Sequence, residues 1–206
     1  ARVRFGTSSN LTEADEVLGG VENANDELVG AGEEIQNLRD GGDGINAADE
    51  GYYSNKVTVT GLKENTKYYY QVMKNGQWQD VEEYQTKSFS DFSFLYVGDP
   101  QIGAYVDTND NQPVADERDA ESWNTILNNA VAKHDVSFMV SAGDQVNTGA
   151  SERQYSGYLG ADALRSLPVA TTIGNHDHDD ANYYYHFNNP NTFNNVNDDY
   201  IPMAYT

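Results

Sequence analysis

The chain of 206 residues contains no cysteine. Disulfides and thiolate metal sites are therefore excluded. Basic residues are scarce: 12 Lys and Arg face 33 Asp and Glu, for a formal net charge of −21. A surface this acidic repels nucleic acid and anionic membranes, and neither is expected as a partner. It is compatible with an extracellular or cell-surface setting. No apolar run approaches the ~18 residues of a membrane span. Histidine is limited to His134, His176, His178 and His186. No leader peptide is visible, and the first residue is Ala1 rather than Met. Proline is absent before Pro100, and all five prolines lie from there on. That shift marks a change of organisation near residue 90.

What remains is 38% apolar, enough for a core. Three stretches share one design. Phe92–Val97 is followed by Gly98 and Asp99; Val136–Ala142 by Gly143 and Asp144; Leu167–Ile173 by Gly174, Asn175, His176 and Asp177. Each reads as a strand that ends in glycine and delivers a polar side chain at its carboxyl end. Between the first two, Ala120, Trp123, Leu127, Ala130 and Val131 fall on one helical face. Residues 151–167 read as a weaker helix, since Gly157 and Gly160 lower its propensity. Strand and helix alternate, which predicts a parallel α/β sheet whose ligands gather beyond the strand ends. One more strand is expected from Tyr200 to Thr206.

Residues 1–90 read as all-β. Arg2–Gly6 alternates, Lys56–Leu62 alternates with period two, and Thr66–Met73 is a further strand. Asn75-Gly76 predicts a hairpin, with Trp78–Thr86 returning. The Tyr68–Tyr70 cluster reads as core and corner. Residues 10–50 are acidic and read as loop with one short strand. Asp40–Asn46 lacks the oxygen spacing of a calcium loop and reads as an acidic turn.

Asp99, Asp144 and Asn175 offer oxygen donors suited to divalent cations, and two cations can clamp a phosphate and activate a water. His176 can then donate a proton to the leaving oxygen, with Asp177 orienting its ring. A lone Gly-Asp is usually only a turn, and it is the joint occurrence that carries weight.

The blocks Gly98-Asp99-Pro100-Gln101, Gly143-Asp144-Gln145-Val146-Asn147 and Gly174-Asn175-His176-Asp177 resemble the first three signature blocks of the calcineurin-like metallophosphoesterases. The preceding Val57-Thr58-Val59-Thr60-Gly61-Leu62 and Thr66–Val72 resemble the later strands of a fibronectin type III sandwich. Together they resemble the purple acid phosphatase arrangement. The resemblance implies a β-sandwich over 1–90 and, over 91–206, the first half of an α/β metallophosphoesterase sandwich. It implies two divalent metal ions (Mn, Zn or Fe), with Asp99 and Gln101 on the first, Asp144 bridging and Asn175 on the second. It implies hydrolysis of a phosphate-ester substrate by metal-bound hydroxide, with His176 as proton donor. Gln101 stands where the family has histidine, and Asn147 where purple enzymes have a ligating tyrosine. A purple ferric site is therefore not expected. The three further metal-binding histidines of the family are not matched either. The expectation is a fragment clipped at both ends, inactive alone and completed by the remainder of the polypeptide. The alternatives are a non-catalytic surface-assembly module with a degenerate phosphatase domain, or a calcium-binding adhesion protein using the acidic loops at 107–119 and 177–180.

Overall fold

The computed structural model describes residues 2–11, 15–18, 33–34, 53–54, 56–74, 76–105, 111–178, 182–189, 192–194 and 202–205. The expected turn at 40–46, and residues 107–110 and 179–180 of the two expected acidic loops, fall outside these residues; most of the loop expected at 107–119 is instead the start of a helix, Gln112–Lys133. The chain forms two compact units, one from residues 1–35 and 51–92 with Arg165–Leu167, the other mainly from 93–164 and 168–206.

The first unit is antiparallel. Its strands are β1 (Arg2–Gly6), β2 (Asp15–Leu18), β3 (Glu33–Glu34), β4 (Tyr53–Ser54), β5 (Lys67–Lys74), β6 (Gln77–Trp78) and β7 (Glu82–Gln85). Five of them form a sheet in the order β2-β1-β5-β6, with β7 also on β5; β3 and β4 pair separately. The hairpin expected at Gly76 is present, with that glycine at φ +75°. Its returning arm is broken in two, and the Gln79 N–H still reaches the Val72 carbonyl across the break. The interruption falls at Asp80 and Val81, where a charged residue of low strand preference sits.

The expected strand at Lys56–Leu62 is not one. β5 is already paired with β1 along one edge and with β7 and β6 along the other. Among the described residues no strand pairs with 56–62. The segment still alternates, with Val57, Val59 and Leu62 half-buried and Thr58 and Thr60 exposed. Period two here records burial without a ladder. The Tyr68 side chain is buried, stacks on Phe5 at 4.8 Å, and its hydroxyl accepts the Lys63 N–H at 2.8 Å. That is the corner role expected of the tyrosine cluster. The buried Thr86 hydroxyl ties the same turn, accepting from the Thr66 N–H at 2.9 Å and reaching the Lys63 carbonyl at 2.6 Å.

The second unit is parallel α/β. β8 (Phe94–Val97), β9 (Phe138–Ser141) and β10 (Val169–Thr171) lie in the order β10-β9-β8, both pairs parallel. The connections carry α1 (Gln112–Lys133) and α2 (Glu152–Leu159), followed by a 3-10 turn at Asp162–Arg165. The Asn111 side chain caps α1 by accepting the Val114 N–H, and Pro113 occupies its first turn, where no hydrogen bond is lost. The helix closes at His134, whose N–H donates to the Ala130 carbonyl. Trp123 and Leu127 are buried, as their spacing predicts, and Trp123 stacks on Tyr158 of α2 at 5.3 Å. Gly157 makes that helix contact possible: a Cβ there would lie 3.0 Å from the Ala120 Cβ and 3.2 Å from Ile102. The glycine that weakens α2 as a helix is what seats it. α3 (Asn182–His186) and a separate hairpin of β11 (Thr192–Asn194) with β12 (Pro202–Tyr205) complete the described part. On one face of the sheet Met139, Ser141 and Thr171 are fully buried; on the other, Phe94 and Tyr96 are 49% and 71% exposed.

Candidate metal centre

The three glycine-led corners meet. The Asp99 N–H donates to the Gly143 carbonyl at 3.2 Å and the Gln101 N–H to the Asp144 carbonyl at 2.8 Å. Beyond them the ladder resumes as a parallel bridge between Ile102 and Val146. The third corner joins the second through the His176 N–H, which donates to Asp144 Oδ1 at 2.9 Å. Glycine is required at the crossing. A Cβ on Gly174 would run into Asp144 Oδ1 and its amide nitrogen, and one on Gly143 would lie 2.9 Å from the Gly174 Cα.

Three of the expected donors hold a left-handed backbone: Asp99 at φ +59°, Gln101 at +41° and Asp144 at +50°. A side chain in this region costs on the order of 1 kcal/mol or more, and such strain concentrates at working sites. Asp99 is exposed, Gln101 and Asp144 half-buried, and Asn175 exposed. The site is therefore an oxygen-lined, anionic edge open to solvent.

The histidine is held by main chain. His176 Nδ1 lies 2.8 Å from the Asn147 carbonyl. A carbonyl only accepts, so Nδ1 carries the hydrogen and Nε2 is left for chemistry. The ring-orienting role assigned from sequence to Asp177 thus belongs to the Asn147 carbonyl. Asp177 is fully buried and accepts backbone N–H groups instead: Gln145 at 3.1 Å, Val146 at 3.3 Å and Gly174 at 3.0 Å. It clamps the second corner to the third. Burial pushes its carboxyl above the ordinary range, the backbone N–H groups pull it back, and Asp144 adds a smaller upward push.

The other histidines have separate engagements. His178 Nδ1 lies 2.7 Å from the Asn175 carbonyl, and His186 Nε2 lies 3.0 Å from Glu152. His134 is the α1 cap. Asn147 drew attention in the sequence only as a missing phenol. Its peptide carbonyl left no signal there, because every residue has one.

A family model for calcineurin-like phosphoesterases matches residues 92–205. The chain belongs to the calcineurin-like phosphoesterase family. A second model, for the N-terminal domain of purple acid phosphatase, matches residues 1–86. Among solved structures the chain is similar to the purple acid phosphatase PPD1 isolated from yellow lupin (Lupinus luteus) seeds. The TM-score is 0.54 at 15% sequence identity, over 94% of this chain and 32% of that one. The chain thus spans about a third of the lupin protein's length. No curated protein matches it. The fold is that of the family: an antiparallel β domain followed by the parallel β/α portion of a metallophosphoesterase, in part.

Members of this family typically hold two metals, and the donors present fit part of such a centre. Of the residues expected as donors, Asp99 and Asp144 are carboxylates and Gln101 and Asn175 carry neutral amide oxygens. That set suits a hard or borderline divalent cation. Among the described residues, no group of three or more His, Asp or Glu gathers as a complete cage.

Proposed function

We propose that this chain contributes one side of a metal-dependent phosphoesterase centre, which hydrolyses phosphate esters once the remaining metal donors are present. The observation that supports this most is the strain at the donors. Asp99, Gln101 and Asp144 hold left-handed conformations on loops tied to each other by backbone hydrogen bonds. Nothing in the packing of a plain turn requires aspartate or glutamine there.

In this reading Asp99 and Gln101 hold one cation, Asp144 reaches both, and Asn175 holds the second. Bound cations supply Lewis-acid charge and a water of lowered pKa. The chain's own residues do the rest. Asp144 Oδ1 fixes the His176 main chain, and the Asn147 carbonyl fixes its ring. Nε2 is thereby the atom that, in the doubly protonated ring, gives its proton to the departing ester oxygen, leaving the neutral ring with its hydrogen on Nδ1. Asp177 acts at one remove, holding the corners together. The extracellular or cell-surface setting belongs to the same proposal and is supported by the acidic charge alone.

The test is hydrolysis of a chromogenic phosphomonoester and a phosphodiester by the polypeptide that carries the remaining donors, with Mn²⁺, Zn²⁺ or Fe²⁺ added in turn. Asp144→Asn and His176→Ala should each lower the rate by on the order of a hundredfold or more. Inactivity with every metal, or activity indifferent to both substitutions, defeats the reading. Gln101 in place of a charged or imidazole ligand favours the second reading, a degenerate domain in a surface assembly. Failure to bind Mn²⁺ at all would select it.

A further inference from the structure

A buried polar pair lies behind the His176 corner. Asp116 on α1 is 2% exposed and Gln154 on α2 is 1% exposed. Their side chains meet, with Gln154 Nε2 donating to Asp116 Oδ1 at 3.0 Å. The same Oδ1 accepts from Gln112 Nε2 at 2.9 Å, and Arg153 lies 3.8 Å from Oδ2. The other end of the Gln154 amide faces the site: its Oε1 accepts the Thr148 N–H at 2.8 Å. The amide cannot turn over, because a carboxylate needs a donor and an N–H needs an acceptor. Thr148 follows Asn147, whose carbonyl holds the His176 ring, and the Asn147 N–H is tied to the Ile102 carbonyl at 3.0 Å.

The pair reaches the first corner as well. A Cβ on Gly103 would run into Gln154 Nε2 and Asp116 Oδ1, so that loop lies directly on the pair. Gln112 Nε2 donates to the Gly103 carbonyl at 2.8 Å. An apolar contact of the same volume would fill this space at lower desolvation cost. What an apolar contact cannot do is fix the rotation of the peptide between Asn147 and Thr148. That peptide carries both the N–H held by Gln154 and the carbonyl held by His176, on opposite edges of one plane.

We infer that Asp116 and Gln154 form a positioning device for His176: they lock the Asn147–Thr148 peptide and thereby hold the imidazole as its Nδ1–H tautomer. The device touches neither the metal donors nor a substrate. It rests on the proposed function only for its purpose, since the tautomer of His176 is measurable whether or not the chain hydrolyses anything.

The experiment is long-range ¹H–¹⁵N correlation of the histidine rings in this chain, at about pH 8.5, where an ordinary imidazole is neutral. Wild type should show His176 as Nδ1–H. Gln154→Met keeps the volume but loses both the acceptor and the donor, and should weaken the preference for Nδ1–H by about tenfold, the effect of one hydrogen bond. Asp116→Asn retains an oxygen for Gln154 and should keep the wild-type tautomer. Mn²⁺ affinity, by titration calorimetry on the same proteins, should change by less than about threefold. A His176 that remains fully Nδ1–H in Gln154→Met overturns the inference. So does a tautomer change accompanied by an equal collapse of Mn²⁺ affinity, because that marks a general loss of structure. If Gln154→Met does not fold, amide exchange of Thr148 in the wild type decides. Protection comparable with the α2 amides sustains the inference, and exchange at open-loop rates ends it. Absent Mn²⁺ binding in the polypeptide that carries the remaining donors would instead count against the proposed function and leave the tautomer result standing.

Discussion

Both units turn their chains through left-handed residues, but they place them differently. In the antiparallel unit the positions are mainly Gly61, Asn65 and Gly76, residue types that tolerate the conformation, with Leu11 the exception. Around Gly61 and Gly76 nothing lies within 4 Å of where a Cβ would be. In the parallel unit the positions include Asp99, Asp144 and Gln101, of which aspartate visits the region as asparagine does and glutamine rarely, and Gly143 is crowded by the Gly174 backbone. The first unit uses glycine to bend; the second uses Gly143 and Gly174 to bring strand ends together and turns through the residues proposed as donors. The same dihedral angle is connective in one unit and, in the proposed reading, shapes the metal donors in the other.

The largest test of this contrast pairs two glycines. Gly174→Ala should destabilise the second unit by about 3 kcal/mol, because the Asp144 main chain has nowhere to move, and should abolish Mn²⁺ binding. Gly61→Ala should cost about 1 kcal/mol from its φ alone. Thermal unfolding of the two variants checks the difference, and equal losses would dissolve the distinction.

Next come the pins. Asp177→Asn leaves three backbone N–H groups sharing a neutral acceptor and brings in an NH₂ group, so we expect a loss of about 2 kcal/mol. Thr86→Val removes the neutral pin of the first unit and should cost about 1 kcal/mol. Denaturant unfolding measures both.

A smaller effect of opposite sign is expected at Asp99. Asp99→Gly relieves the left-handed strain, so stability should hold or rise by up to about 0.5 kcal/mol. Mn²⁺ affinity should fall at least about tenfold. A variant that loses stability would show that the conformation is not strained.

The smallest effect concerns the alkaline limb. Burial raises the Tyr158 phenol well above its ordinary value, and burial raises Tyr70 in the first unit as well. The unfolded chain therefore releases these protons first. Stability is intact below about pH 10, the unfolded phenol value, and falls as pH rises beyond it. Tyr158→Phe should be within about 0.5 kcal/mol of wild type at neutral pH and should flatten this fall. A pH series of melting temperatures reads it.

The parallel unit was the more legible from sequence. Its strands are apolar runs punctuated by Gly, and α1 carries its own cap, proline and apolar spacing. Such signals are local, so one sequence suffices. Lys56–Leu62 misled because alternation reports which side chains turn inward, whereas a strand also needs a partner ladder, and among the described residues none pairs with this segment. At the site, the proposed donors could be named from sequence because Asp after Gly at a strand end is a pattern of residue types. The roles of Asp177 and Asn147 were not, since each rests on main-chain groups brought together over about thirty residues of separation. Asp116 and Gln154 were hidden for a further reason: a polar residue on a helix reads as surface until its burial is known.

The peptide carbonyl that holds His176 has no codon of its own. Evolution cannot delete it by changing residue 147, and a saturation library will score that position as permissive on this account. Selection must act through whatever fixes the peptide's tilt. Catalogues of essential residues built from side-chain swaps will therefore omit the atom on which the ring hangs.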